Sequence, residues 1–156
     1  MNKEVGMDNP GLDVYLRDQK IGRLWLDDKR RFVFQYDSEW IHQKGAVPLS
    51  LHLPLREEIY PDDLARPFFS NLLPEAEVKR AIAQRLRISE SNDFALLNSI
   101  GGECAGAVSV LPAGVAPAMK PGYRELSEEE LHRIIIELPR RPLLAGVEGM
   151  RLSLAG

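Results

Sequence analysis

Leu12-Asp13-Val14-Tyr15-Leu16-Arg17-Asp18-Gln19-Lys20-Ile21-Gly22-Arg23-Leu24-Trp25-Leu26 decides the fold class. Leu12, Val14 and Leu16 alternate with Asp13, Tyr15 and Arg17, the two-residue period of a strand with one buried face. Asp18-Gln19-Lys20 then predicts a polar turn, and Ile21 to Leu26 a second strand running back beside the first. Asp27 to Arg31 is a charged turn before Phe32, Phe34 and Tyr36, whose alternation gives a third strand with an aromatic face. The result is an antiparallel meander, buried on one side.

Further along, Pro48, Pro54, Pro61 and Pro67 argue against any long helix, and Leu49, Leu51, Leu53 and Leu55 alternate like a short extended segment with buried leucines. Pro74 suits a first helical position, with Glu75 and Glu77 near the positive end of the helix dipole and an apolar stripe of Val78, Ile82 and Leu86. Ser91 is read as the N-cap of a second helix carrying Phe94, Leu96, Leu97 and Ile100, which Gly101-Gly102 ends with a left-handed cap. Gly106 to Leu111 predicts a strand closing the module. Small residues with Pro117 and Pro121 mark a linker, and Ser127-Glu128-Glu129-Glu130 is a capping box for a helix with an apolar face of Leu131, Ile134, Ile135 and Leu138. Met150 to Gly156 alternates like one further strand. The expected class is α+β: a small antiparallel sheet packed with helices over 11–112, a linker over 113–126, and over 127–156 one helix and a first strand of an incomplete second domain.

A chain of 156 residues, 44% hydrophobic and 28% charged, has the composition of a compact globular protein. A net charge of -3 with mixed signs gives no general attraction to nucleic acid. Cys104 has no cysteine to pair with, Met1 to Pro10 lacks the apolar core of a signal peptide, and no apolar run is long enough to cross a bilayer, so a cytoplasmic protein is expected.

Residues able to carry chemistry are sparse. His42, His52 and His132 have no partner at metal-ligand spacing and read as surface or packing residues. Cys104 reads as a small apolar residue, and Glu57-Glu58 and Glu128 to Glu130 as solvated carboxylates. Lys79, Arg80, Arg85 and Arg87 fall on the solvent side of an amphipathic helix, while Trp25, Trp40, Phe68 and Phe69 are assigned first to the core. The Gly101 to Gly106 turn and the exposed side of the Pro74 to Ile88 helix are candidate partner surfaces. No catalytic residue and no metal ligand is assigned. Ser153-Leu154-Ala155-Gly156, after a strand, has the small residues of a loop that opens around phosphates, but without the usual Lys.

Taken in order, Val14-Tyr15-Leu16, Ile21-Gly22-Arg23-Leu24, Phe34 to Trp40, Pro48 to Leu55, Pro67 to Glu75, Asp93 to Leu97 and Gly101 to Ala107 resemble the N-terminal subdomain of the HipA family over Leu12 to Leu111. Pro142 to Gly146 and Arg151 to Gly156 resemble that family's entry into its kinase domain. The resemblance implies a serine/threonine kinase toxin of a type II toxin-antitoxin module, Mg-ATP as its cofactor, and a DNA-binding HipB-like antitoxin or the kinase domain as partner. It matches Ser153 to an autophosphorylated serine, and Ala155 and Gly156 to the start of the nucleotide loop. The family's Gln and Lys, catalytic Asp and metal-binding residues follow that loop, so this chain alone is expected to catalyse nothing. The alternative is a stand-alone binding protein that restrains a separate short kinase.

Overall fold

The computed structural model describes residues 11–103, 107–117 and 125–137. Leu12–Leu16 (β1), Gln19–Leu26 (β2) and Phe32–Tyr36 (β3) make the meander, and Val108–Pro112 (β4) joins beside β1, giving an antiparallel sheet of order β3-β2-β1-β4. Ser38–Ile41 (α1), Asp62–Ser70 (α2), Ala76–Leu86 (α3) and Asp93–Ile100 (α4) lie between β3 and β4 in sequence, and Glu128–Glu137 (α5) follows. The fold is α+β.

The two hairpin turns rest on side-chain chemistry rather than on glycine. Gln19 and Lys20, read as turn residues, already belong to β2, because Arg17 takes φ 58° and closes the chain more tightly. In the second turn the Asp27 carboxylate accepts the N–H groups of Lys29 and Arg31, each at 2.9 Å, and meets the Arg31 guanidinium at 2.7 Å. The strict alternation expected of β2 breaks once. Val14 pairs with Gly22 and Tyr15 with Lys20, so Ile21 is an extra residue in a bulge, fully buried beside its neighbour.

Leu12, Val14, Leu24, Phe34 and Val110 on the inner face are all fully buried. They meet Ala65 and Phe69 of α2, Ile82 and Ala83 of α3, and Leu96, Leu97 and Ile100 of α4 in one core. Each large side chain so buried stabilises the fold by roughly 1.5–3 kcal/mol.

Both sheet edges are covered at least in part. On β3, Phe34 exchanges backbone bonds of 3.0 and 2.7 Å with Tyr60, and the Phe32 N–H donates to Asp62 Oδ1 at 2.6 Å. On β4, the ladder bonds at Gly11/Ala113 and Arg17/Ala107 set the parity, so Val14/Val110 is a non-bonded pair and the Val110 carbonyl points away from β1. Gly101 lies against that carbonyl, and Pro112 at the same parity has no N–H to offer.

Several expectations need correction. The prolines argued only against a long helix, and the segment does hold a short one, α2, of nine residues that runs through Pro67. An interior proline costs about 3 kcal/mol; here Asp62 holds Phe32 and Arg66 at the first turn, and Phe69 is fully buried, which offsets it. Leu49 to Leu55 is not extended: Ser50 and Leu53 bridge a tight turn that buries Leu53 and leaves Leu51 94% exposed. The next helix starts at Ala76 rather than Pro74, and Ala83 replaces the exposed Leu86 in its buried stripe. It ends on Arg87 at φ 56°, with the Ile88 N–H donating to the Ala83 carbonyl at 2.9 Å. The α4 cap is Asn92, whose Oδ1 accepts the Ala95 N–H at 3.1 Å, while Ser91 bonds to Ser89.

Gly101 is the most informative correction. It has φ -63° and ψ -18°, a right-handed conformation open to any residue. Glycine is required because a Cβ there would stand 2.4 Å from the Val110 carbonyl oxygen. The capping box before α5 is as read: Ser127 Oγ accepts the Glu130 N–H at 3.2 Å, and Glu130 Oε2 accepts the Ser127 N–H at 3.3 Å. Cys104, the helix end at Leu138-Pro139 and the strand read over Met150 to Gly156 lie outside the described residues.

Replacing Gly101 by Ala forces α4 and β4 apart, and a loss of about 1–3 kcal/mol is expected in urea unfolding. Gly114→Ala is the contrast, since nothing lies within 4 Å of a Cβ there and its cost comes from its positive φ alone.

Candidate functional site

Ser153, Ala155 and Gly156 lie outside the described residues, so the structure gives no geometry for the sequence-matched nucleotide loop. His42, His52 and His132 are all exposed. Among the described residues no group of three or more His, Cys, Asp or Glu is placed to hold a metal ion. What the described residues build is a polar junction beneath an exposed basic patch.

Its centre is the junction of α2, α3 and α4. Asp93, the first residue of α4, accepts the Ser70 hydroxyl at 2.6 Å through Oδ2 and the Lys79 ammonium at 2.6 Å through Oδ1. With side-chain exposures of 22% for Lys79 and 14% for Asp93, the pair is largely withdrawn from water. Lys79 is therefore not on the solvent face where helical periodicity put it. The remaining members of the basic group do face water: Arg80, 3.6 Å from Glu90, with Arg85 and Arg87, beside Leu86 at 41% exposure. Arg85 and Arg87 make no ion pair among the described residues. The junction fixes where this basic, partly apolar patch points.

A second rigid feature is the loop from Gly45 to Ile59. The Tyr36 hydroxyl donates to the Leu53 carbonyl at 2.6 Å and accepts the Leu49 N–H at 2.8 Å, and the Tyr60 hydroxyl donates to the Pro54 carbonyl. The Arg56 guanidinium covers the Tyr60 ring at 3.8 Å. Two buried hydroxyls thus replace a strand partner and present Leu51 on a firm turn. Burial pushes the Tyr36 hydroxyl up to about 12, outweighing the Leu49 N–H that favours its anion.

Sequence reasoning missed both features for one reason. Ser70, Lys79 and Asp93 belong to three helices, and Tyr36 reaches 13 and 17 residues along the chain, so no periodicity links them. The exposed side of the Pro74 to Ile88 helix was named as a candidate surface, but not the contacts that orient it.

Residues 12–111, from the first residue of β1 to the last but one of β4, match the family described as the HipA N-terminal domain. The chain belongs to the HipA family. It is 41% identical over 152 residues to Y4mE of Sinorhizobium fredii, covering 93% of this chain and 36% of that protein. Against the serine/threonine-protein kinase toxin HipA of Shewanella oneidensis it is 32% identical over 146 residues, 93% of this chain and 33% of the toxin. The chain thus spans about a third of these curated HipA-family relatives. A protein of Haemophilus influenzae is 34% identical over 97 residues, which are 62% of this chain but 87% of that protein. In structure, a chain of the solved Shewanella oneidensis complex of HipA, HipB and operator DNA superposes with a TM-score of 0.62 at 31% identity, over 93% of this chain and 33% of that one.

Asp93→Ala leaves the Lys79 charge half-buried without its partner, and a loss of about 2 kcal/mol in urea unfolding is expected; Asp93→Asn, which keeps the Ser70 contact, should lose less. Because the Tyr36 pKa is raised on folding, its stabilisation is complete below the ordinary value of 10.0 and is lost as pH rises from there through about 12. Urea midpoints across that range should fall for the parent and flatten for Tyr36→Phe.

Proposed function

We propose that the chain is the N-terminal binding and regulatory region of a HipA-like serine/threonine kinase toxin of a type II toxin-antitoxin module, and that it transfers no phosphate itself. The observation that carries this reading is the match along 93% of the chain to a kinase toxin of which it spans 33%. Phosphoryl transfer needs a metal, a cation on the phosphates and a positioned base together. In this reading those groups, and the Mg-ATP they hold, belong to the longer protein, with Ala155 and Gly156 opening its nucleotide loop and Ser153 as its phosphorylated serine. The segments 11–112, 113–126 and 127–156 then serve as binding module, connector and entry into the kinase domain.

The partner is a HipB-like antitoxin or the kinase domain. The solved neighbour, a complex of HipA, HipB and operator DNA, supports that choice. At a net charge of -3 the module itself is not the part that grips DNA. Among the described residues no helix is long and apolar enough to cross a membrane. A second reading, a separate protein that restrains a short HipA-like kinase, is favoured by the Haemophilus relative, 87% of which is covered by its match to this chain.

Incubated with radiolabelled Mg-ATP, the chain alone should take up no label; label on its Ser153 overturns the non-catalytic reading. Added to a short HipA-like kinase, it should leave phosphoryl transfer unchanged under the first reading and suppress it under the second.

A further inference from the structure

Asp13, within β1, is the one charged residue buried among the described residues, at 5% exposure. Strand formation does not call for it: a β-branched side chain would suit the strand better, and a buried carboxylate has to be desolvated. What such a group contributes is direction, through the partners it must find. Leu12 and Val14 on either side of it belong to the core with α2, α3 and α4, so the alternation of β1 puts Asp13 on the opposite face of the sheet.

Its two oxygens have separate partners. Oδ1 lies 3.1 Å from the Lys20 ammonium, which also stands 3.8 Å from Asp37, so the first hairpin balances the charge. Oδ2 accepts the Gly114 N–H at 2.9 Å, from 101 residues along the chain. Gly114 is where the chain leaves β4. The Val115 N–H donates to the Pro112 carbonyl at 3.0 Å and Gly114 has φ 82°, a turn whose third residue favours glycine. The Ala113 N–H is already used, donating to the Gly11 carbonyl at 3.2 Å beside the end of the β1/β4 ladder. A turn tied to the sheet by that bond alone can pivot about it. A second bond, from a carboxylate fixed in β1, leaves the turn one heading.

We propose that Asp13 is a positioning residue, a latch that sets the heading at which the chain after Gly114 leaves the sheet, on the face away from the core. It acts on whatever follows β4, and so stands apart from the kinase-toxin reading.

Amide exchange and spin-label distances in the 156-residue chain test the latch. In Asp13→Ala the Gly114 amide should exchange about tenfold faster relative to that of Leu24, which pairs with Leu12 inside the sheet. Asp13→Asn combined with Lys20→Met leaves one oxygen acceptor and one donor to meet it, and should return the Gly114 ratio to that of the parent. Nitroxides at Asn98→Cys and Val115→Cys, both exposed positions, in a Cys104→Ser background read the heading itself. Their distance distribution should become about twice as wide with Asp13→Ala. Gly114 exchange that rises only in step with Leu24, no recovery in the double variant, or equal widths overturns the latch and leaves Asp13 a residue of the sheet alone. Should Asp13→Ala fail to fold, the parent decides: its Gly114 amide should exchange about tenfold more slowly than an unstructured glycine amide, and exchange at the unstructured rate overturns the proposal.

Discussion

Phe34 holds the module together. Its ring packs on Tyr36 at 4.8 Å, Phe69 at 5.2 Å and Tyr60 at 6.1 Å, and its backbone is bonded to Tyr60 on the side away from β2. One residue thereby joins the meander, the loop that returns to its edge, and α2. Edge-on and tilted ring contacts add about 0.5–1.5 kcal/mol each to the area they bury. They also fix orientation, which aliphatic packing does less strictly. Tyr36 and Tyr60, whose rings pack on Phe34, donate their hydroxyls to carbonyls of the 45–59 loop.

Much of this was legible in the sequence because one-dimensional patterns cause it. A two-residue period places Leu12, Val14, Leu24, Phe32 and Phe34 on one face whatever else happens, and Ser127 with Glu130 bonds across three residues. The failures are equally physical. Pro67 in α2, Arg17, Arg30 and Arg87 at positive φ, and Gly101 at an ordinary φ all invert local propensity. In each case the answer lies in what the residue meets: a buried Phe69, a two-residue hairpin, a carbonyl of β4. For Gly101 that partner, the Val110 carbonyl, stands elsewhere in the chain. Tertiary contact outweighs preferences worth about 1–3 kcal/mol.

The candidate surface was legible only in outline. The basic stretch of α3 was visible as composition, but its division was not: Lys79 turns inward to Asp93 while Arg85 and Arg87 turn outward. That division is what converts a run of charges into a surface with a direction. The ordered motifs identified the family without revealing any of this geometry, because a family signature records which residues recur rather than which atoms they satisfy.

The covered edges of the sheet have a bearing on the family's history. An open edge strand makes any separated piece of a protein a seed for aggregation, so a domain carrying one cannot safely be parted from its neighbour. Here Tyr60 and Asp62 finish one margin, and Gly101 with Pro112 the other. A sheet so bounded offers little template for pairing with another chain. Its occurrence both as a third of long proteins and as most of a short one follows naturally from that finish.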